Sequence, residues 1–398
     1  MADKHHGHHG HHAHGGGGGA GGVNVNPPSD DSRRLSFAEG STEYPTPIQG
    51  LGGALTAGAA GGNTSTLTPV PKTGFVGRLR HTISGTITVG TLGTAYAVPL
   101  HRLIANYTLQ NSLAYPYRNL NGDDIWMWNY VAEERGLQDP MYGSQTLLNP
   151  VVTSTGAKPY QFSFVDQIAM NDGINFSKFL LSALTNSNDL TLLINWLPFS
   201  ALATLQANTT VFSAYTASDA VSAVYQTVPN PDHYYWPDTS VVQQVIGDPS
   251  FSATAVGINS INLTPISGPE FLGLGIQVVN AGGTLDTLVP GTSGVTQVQL
   301  LVAGSIPLKT FTLSDLVTNF ENTYGRPFNF GYLYIDMMAD LSIPNVMSAT
   351  MRKALSTTKY AQLTVAVTLN ANYTPGAGAK LTLLKRTRQA YAGNSALM

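Results

Sequence analysis

The sequence predicts a mainly β chain made of two tandem copies of one antiparallel domain, with a few short helices and a flexible N-terminal arm. Three observations predict it. Period-two alternation begins after Gly74: Phe75, Leu79, His81, Ile83, Ile87 and Val89 share one parity, and Arg78, Arg80, Thr82, Ser84, Thr86 and Thr88 the other. Strand-like runs do not alternate regularly with helix-like ones, which disfavours a parallel α/β sheet. Finally, one set of landmarks appears twice in the same order, at a period far longer than that of a solenoid or propeller.

The elements follow from the N-terminus. Residues 1–22 are low in complexity: His5, His6, His8, His9, His11, His12 and His14 are followed by a glycine run over 15–19. Residues 23–73 remain rich in Gly, Pro, Ser, Thr and Asn, too poor in apolar area to offset their ordering entropy. Residues 1–73 are therefore read as a flexible His/Gly-rich arm and an extended, partner-dependent lead-in. The long half-buried strand at 74–89 comes next. Further strand-like runs fall at 98–109, 160–168, 190–196, 209–215, 252–263, 271–279, 295–302, 331–338, 363–373 and 380–387. A helix is expected at 123–135, opening on Asp123 and Asp124 and stopping at Gly136. A second is expected at 313–324, with Thr312 and Asp315 as its cap and Leu313, Leu316, Val317 and Phe320 on one face. Short helices are expected at 176–184 and 346–355.

The repeat sets the domain division. Phe75-Val76-Gly77 matches Phe271-Leu272-Gly273, and the two longer helices follow in each half, ending at Gly136 and Gly325. Phe162, Phe164, Val165 and Asp166 match Tyr332, Tyr334, Ile335 and Asp336, and Leu190-Thr191-Leu192 matches Leu363-Thr364-Val365. Two tandem eight-stranded antiparallel jelly rolls satisfy this pattern, over 74–265 and 266–390, with 391–398 as a C-terminal tail.

Composition narrows the function. Charged residues make up 11% of the 398 residues, against about 25% in ordinary soluble proteins. Such a surface is weakly hydrated and is expected to be covered by partners. A net charge of -3 supplies no basic face for nucleic acid. The absence of cysteine excludes disulfide scaffolds, iron–sulfur clusters, thiolate zinc and cysteine catalysis. No apolar segment follows the N-terminus and no run of 18 apolar residues occurs, so a chain made in the cytoplasm, without a membrane span, is expected.

The seven arm histidines are imidazole ligands in kind, yet a glycine-spaced arm lacks the fixed geometry of a metal site; protonation near pH 6.5 makes it a pH-dependent cation instead. His233, with Asp232 and Asp238, has the residue types of an oriented base, but no nucleophile motif completes it, and GTSG at 291–294 is not G-x-S-x-G. Asp123 and Asp124 at one end of a helix, and Glu133 and Glu134 at the other, read as capping and solvated residues. The glycine-rich stretch at 376–380 reads as a hairpin turn. Lys380, Lys385, Arg386 and Arg388 form a basic cluster that suits either lipid head groups or an exposed strand end. Trp126, Trp128 and Tyr130 suit a sugar platform or, with Ile125 and Val131 beside them, core. His81 and His101 fall short of a cupin-like metal set. No catalytic, cofactor-binding or metal-binding residue is expected.

The long strand opening at Gly74-Phe75, the strand at 100–109, the aromatic helix at 123–136 and the Trp-x-Pro run at 192–205 together resemble the double jelly-roll major capsid proteins of tectivirus-like, membrane-containing bacteriophages. The resemblance implies upright jelly rolls, homotrimeric pseudo-hexagonal capsomers and an icosahedral shell around an inner membrane and genome. It further implies assembly in the host cytoplasm, minor capsid and penton proteins as partners, contact with vesicle lipid, and residence in the virion. A jelly-roll spike or a receptor- or carbohydrate-binding virion protein is the alternative.

Overall fold

The computed structural model describes residues 42–48, 64–66, 70, 75–93, 96–97, 99–111, 114–132, 151–169, 181–182, 190–205, 210–227, 241–248, 255–263, 270–324, 331–337, 355–356 and 362–390. The first half carries β1 (Thr42–Ile48), β2 (Thr64–Thr66), β3 (Phe75–Thr91), β4 (Tyr96–Ala97), β5 (Ile104–Gln110), β6 (Pro116–Leu120), helix α1 (Gly122–Ala132), β7 (Val151–Val152), β8 (Gly156–Gln167), β9 (Leu181–Ser182), β10 (Thr191–Trp196) and β11 (Val211–Thr227). The second carries β12 (Val241–Asp248), β13 (Gly257–Asn262), β14 (Glu270–Val279), β15 (Val295–Val302), β16 (Ile306–Thr312), helix α2 (Leu313–Tyr324), β17 (Tyr332–Asp336), β18 (Leu355–Ser356), β19 (Leu363–Leu369) and β20 (Lys380–Ala390).

Strand pairing shows the duplication more fully than the sequence does. In the first half β3 lies between β11 and β8 and also pairs with β9, while β1 flanks β11. In the second, β14 lies between β20 and β17 and also pairs with β18, while β12 flanks β20. The facing sheets agree as well: β5 sits between β6 and β10 with β2 beyond β10, and β15 between β16 and β19 with β13 beyond β19. All these pairs are antiparallel. One short parallel pairing, Val245 with Arg118 and Ile246 with Asn119, joins β12 to β6, so a sheet of each half merges into one nine-stranded sheet.

Alternation explains each core. On β3, Leu79, His81, Ile83, Ile87 and Val89 are buried opposite Tyr107, Leu109, Leu192, Ile194 and Trp196 of the facing sheet. In the second half Leu274, Ile276 and Val278 face Val298, Leu300, Val365 and Val367. The crossing β3–β11 pair is close: a Cβ at Gly85 would run into the Thr216 carbonyl, so only glycine passes there.

Several expectations need correction. The extended lead-in contains β1 and β2, which pair with β11 and β10 of the first half. The division at 265/266 cuts through the second half, because β12 and β13 pair with β20 and β19. The run 98–109 begins as a 3-10 turn at Leu100–Leu103. Strands β6, β12 and β16 lack a strand-like apolar alternation: β6 is short and opens on proline, β12 buries Gln243 and Gln244, and β16 is largely exposed. Leu181–Ser182 and Leu355–Ser356, expected to be helical, in part or at an end, are strands on the edges of β3 and β14; the rest of 176–184 and 346–355, apart from these residues, lies outside the described residues. The stretch at 376–380 is not a hairpin, because β19 and β20 belong to different sheets.

Two of the sequence matches are also one residue out of phase. Both β3 and β14 carry a bulge against the following sheet neighbour, at Gly77 and at Leu272. The Gly77 carbonyl accepts from Ile168 N–H and the Leu272 carbonyl from Met337 N–H. Hence Gly77 corresponds to Leu272, and Phe164 to Leu333. The match of Leu190-Thr191-Leu192 to Leu363-Thr364-Val365 agrees with the strand register, since Leu192 pairs with Leu109 and Val365 with Leu300.

Candidate functional site

The chemistry-bearing side chains converge on the seam between the halves, built around α1. Asn121 caps this helix reciprocally: its side chain accepts from Asp124 N–H at 2.9 Å, and Asp124 Oδ2 accepts from Asn121 N–H at 3.1 Å. Asp124 also abuts β12, where a Cβ at Gly247 would collide with its carboxylate. Burial pushes the Asp124 carboxyl up to about 7. Asp123 goes the other way. Burial opposes its charge, but hydrogen bonding from His101 and the charges of Arg102 and His101 hold it well below the usual carboxylate range. Its Oδ1 lies 2.9 Å from both His101 Nε2 and Arg102 Nε, and its Oδ2 accepts from Gln277 Nε2 at 3.0 Å. The solvated role expected for these acids is thus replaced by burial at the seam.

The aromatic residues of α1 are structural. Trp126 stacks on Tyr130 at 5.6 Å and tilts against Tyr332 at 5.0 Å, while Tyr130 stacks on Phe320 of α2 at 5.8 Å. Trp128 is buried with the guanidinium groups of Arg118 and Arg386 at 5.7 and 5.5 Å from its ring. Met127 lies against Gly275 of β14, where an added Cβ would meet the end of the Met127 side chain. A sugar platform is therefore not what these rings form.

A second polar cluster fills the first core. His81 Nδ1 lies 2.7 Å from Asp219 Oδ2, both side chains being fully buried, and the imidazole stacks on Phe164 at 4.2 Å. Tyr107 donates to Asp166 Oδ2 at 2.9 Å, and Arg118 Nε donates to Asp166 Oδ1 at 2.9 Å. Arg118 also donates to the carbonyls of Tyr117, Gln243 and Gln167. Strand register puts Ile276, Leu381, Val298 and Ile335 of the second half at the positions of His81, Asp219, Tyr107 and Asp166. The fold itself therefore does not demand this cluster.

The basic cluster does not survive as a patch. Arg386 is fully buried and donates to Gln243 Oε1 at 2.8 Å; Lys385 pairs with Asp248 at 2.9 Å; Lys380 is exposed at the start of β20. Ser293, in the 291–294 stretch, donates to Asp286, which also accepts from Leu288 and Gly294 N–H, so that stretch closes a turn. His5–His14, His233, Asp232, Asp238, Glu133 and Glu134 lie outside the described residues. Among the described residues no group of three or more His, Asp or Glu is placed to hold a metal, and no helix is long and apolar enough to cross a membrane. Sequence reasoning missed Arg118, Asp166 and Asp219 as buried charges. A charge on the parity of an apolar face was the available signal, and His81 carried it openly.

No protein-family model and no curated protein matches the sequence. Solved structures do match over nearly the whole chain. The STIV major capsid protein shares 14% identity at a TM-score of 0.57, covering 90% of this chain and 100% of that one. The PBCV-1 virus capsid gives 12% and 0.60, covering 89% and 96%. The major capsid protein P2 of Bacteriophage PM2 gives 10% and 0.54, covering 88% and 98%. The fold is the double jelly roll. In a double jelly roll the seam just described is the joint between the two rolls, and α1 is its wedge.

Proposed function

We propose that the protein is the major capsid protein of a virus, a structural rather than catalytic chain resident in the capsid shell. The observation that carries this reading is the match, over 88–90% of this chain and 96–100% of the others, to capsid proteins of double jelly-roll architecture. The charge-poor composition supports it, since faces covered by neighbouring copies replace hydrated surface. On the outer face of β3, β8 and β11, Thr82–Ser163 and Thr86–Thr216 hydroxyl pairs at 3.2 and 3.0 Å stand beyond Arg78 and Arg80.

In this reading each half is an eight-stranded jelly roll, with the division between Thr227 and Val241 rather than at 265. Three chains form a pseudo-hexagonal capsomer, and capsomers form an icosahedral shell around an inner membrane and genome, with minor capsid and penton proteins completing it. The histidine-rich arm then provides a pH-tuned contact with vesicle lipid: protonation near pH 5.5 adds up to seven positive charges. Light scattering on the purified chain tests the capsomer. Three-chain particles are expected, and a monodisperse monomer at assembly concentrations overturns the trimer. Deleting residues 2–22 tests the arm. Lipid co-sedimentation should then lose its rise between pH 7.5 and 5.5; an unchanged rise removes that role.

A further inference from the structure

The joint between the rolls holds two buried hydrogen-bond donors with nothing to donate to. Gln243 of β12 is buried, and its Oε1 accepts from Arg386 Nε of β20 at 2.8 Å. That bond fixes the amide: the oxygen faces the guanidinium, and Nε2 is the end left over. Trp128 of α1 is buried as well. Among the described residues neither Gln243 Nε2 nor Trp128 Nε1 has a partner. A buried indole or amide N–H ordinarily finds an acceptor, because leaving it unmet forfeits its bonds to water without replacement. The two groups are also neighbours. Arg118 of β6 donates to the Gln243 carbonyl at 2.9 Å, and the guanidinium groups of Arg118 and Arg386 lie 5.7 and 5.5 Å from the Trp128 ring. The same two cations therefore bracket both free donors, and four elements meet there: β6 and α1 of the first roll, β12 and β20 of the second.

We propose that this spot in the joint binds a small monatomic anion of the chloride class, held by Gln243 Nε2 and Trp128 Nε1 beside Arg118 and Arg386. The surroundings favour an anion over a water molecule. Arg118 and Arg386 are fully buried. Asp166 is occupied by Arg118 and Tyr107, and Asp336 stands across Gly273 from Arg386 on the partly exposed end of β17. A water molecule satisfies the two free N–H groups but brings two hydrogens of its own that need acceptors. An anion only accepts, and its charge is favoured beside guanidinium groups in a site of low dielectric. All four side chains around the spot are buried, which restricts the ligand to a small ion. Because its donors come from both rolls, the anion fastens α1 to β12 and β20 and tightens the joint.

Two measurements on the full wild-type chain test the site. Bromide replaces chloride and scatters anomalously, so crystals soaked in sodium bromide should show an anomalous peak within hydrogen-bonding distance of Gln243 Nε2 and Trp128 Nε1. In solution, urea unfolding is followed while chloride replaces gluconate at fixed ionic strength. An ion bound by the folded chain alone raises the folding constant in proportion to its concentration once the site is filled. A tenfold rise in chloride should then raise that constant close to tenfold. Trp128→Phe keeps a ring but removes the N–H, and it should flatten this dependence several-fold. If that variant does not fold, the two wild-type measurements decide alone. A folding constant indifferent to chloride, with no bromide peak at the joint, overturns the site. A bromide peak without chloride-dependent stability marks an adventitious ion only and overturns it equally. A chloride dependence that Trp128→Phe leaves unchanged places the ion elsewhere and overturns the assignment to these donors.

Discussion

His81 and Asp219 occupy positions where the second roll has Ile276 and Leu381. That contrast allows a controlled exchange. Removing one member of a buried pair strands the other without a partner, at a cost of about 3–5 kcal/mol, whereas replacing both with apolar residues is often neutral or stabilising. His81→Ile alone should therefore lower the denaturant midpoint strongly, and His81→Ile with Asp219→Leu should recover most of it. A double variant as unstable as the single would mean that the site does not tolerate the second roll's packing. Asp124 and Asp123 make a pH prediction of opposite signs. The Asp124 carboxyl, raised to about 7 in the fold, stabilises the native state below its unfolded value near 4, and this contribution is lost as pH rises from about 4 to 7. Asp123, held below its ordinary range, contributes stability above pH 4 that is lost on acidification. Asp124→Asn should flatten the decline between pH 4 and 7, measured by denaturant unfolding across that range; an unchanged slope would assign the decline to other groups.

At the scale of elements, helix α1 acts as a wedge whose two sides belong to different rolls. Its position depends on small residues beneath it, and these differ in how much they tolerate. At Gly275 an added methyl meets the flexible end of Met127, which swings aside, so Gly275→Ala should cost about 1 kcal/mol or less. At Gly85 the methyl meets the backbone carbonyl of Thr216, which is held in the β3–β11 ladder, so Gly85→Ala should cost about 3 kcal/mol or more. Thermal unfolding of the two variants side by side checks the ranking. Trp126→Ala removes ring contacts with Tyr130 and Tyr332 and should cost about 3 kcal/mol. Because the Tyr332 contact crosses the seam, the variant should also separate the unfolding of the rolls. Two resolved calorimetric transitions are the expected result; a single lowered one would show that the remaining seam contacts, Asp123–Gln277 and the β6–β12 pairing among them, keep the rolls coupled.

For the whole molecule, what was legible in the sequence was local. Alternation placed Leu79, Ile83, Ile87 and Val89 inward, the cap Thr312–Asp315 set α2 at 313–324, and the order of elements revealed the duplication, because each depends on neighbours within a few residues. The paired strands settled the rest. Whether β12 and β13 serve the first or the second roll is decided by partners more than 100 residues away, β20 and β19, about which the local pattern is silent. The phase of two matches was lost because like residue types, Phe-x-Gly at 75–77 and 271–273 and the aromatic runs at 162–164 and 332–334, stand one position away from the positions that strand pairing equates. Arg118 and Arg386 look like surface cations in the sequence and lie fully buried in the fold. A charge enters a core only where carboxylate, carbonyl and aromatic partners are brought to it, and here Asp166, Gln243 and Trp128 arrive from three separate elements. The sequence by itself determined a duplicated β chain and the direction in which its strands face. Tertiary structure decided which strands close each roll and how the rolls are joined, because pairing across long loops depends on geometry that no local period encodes.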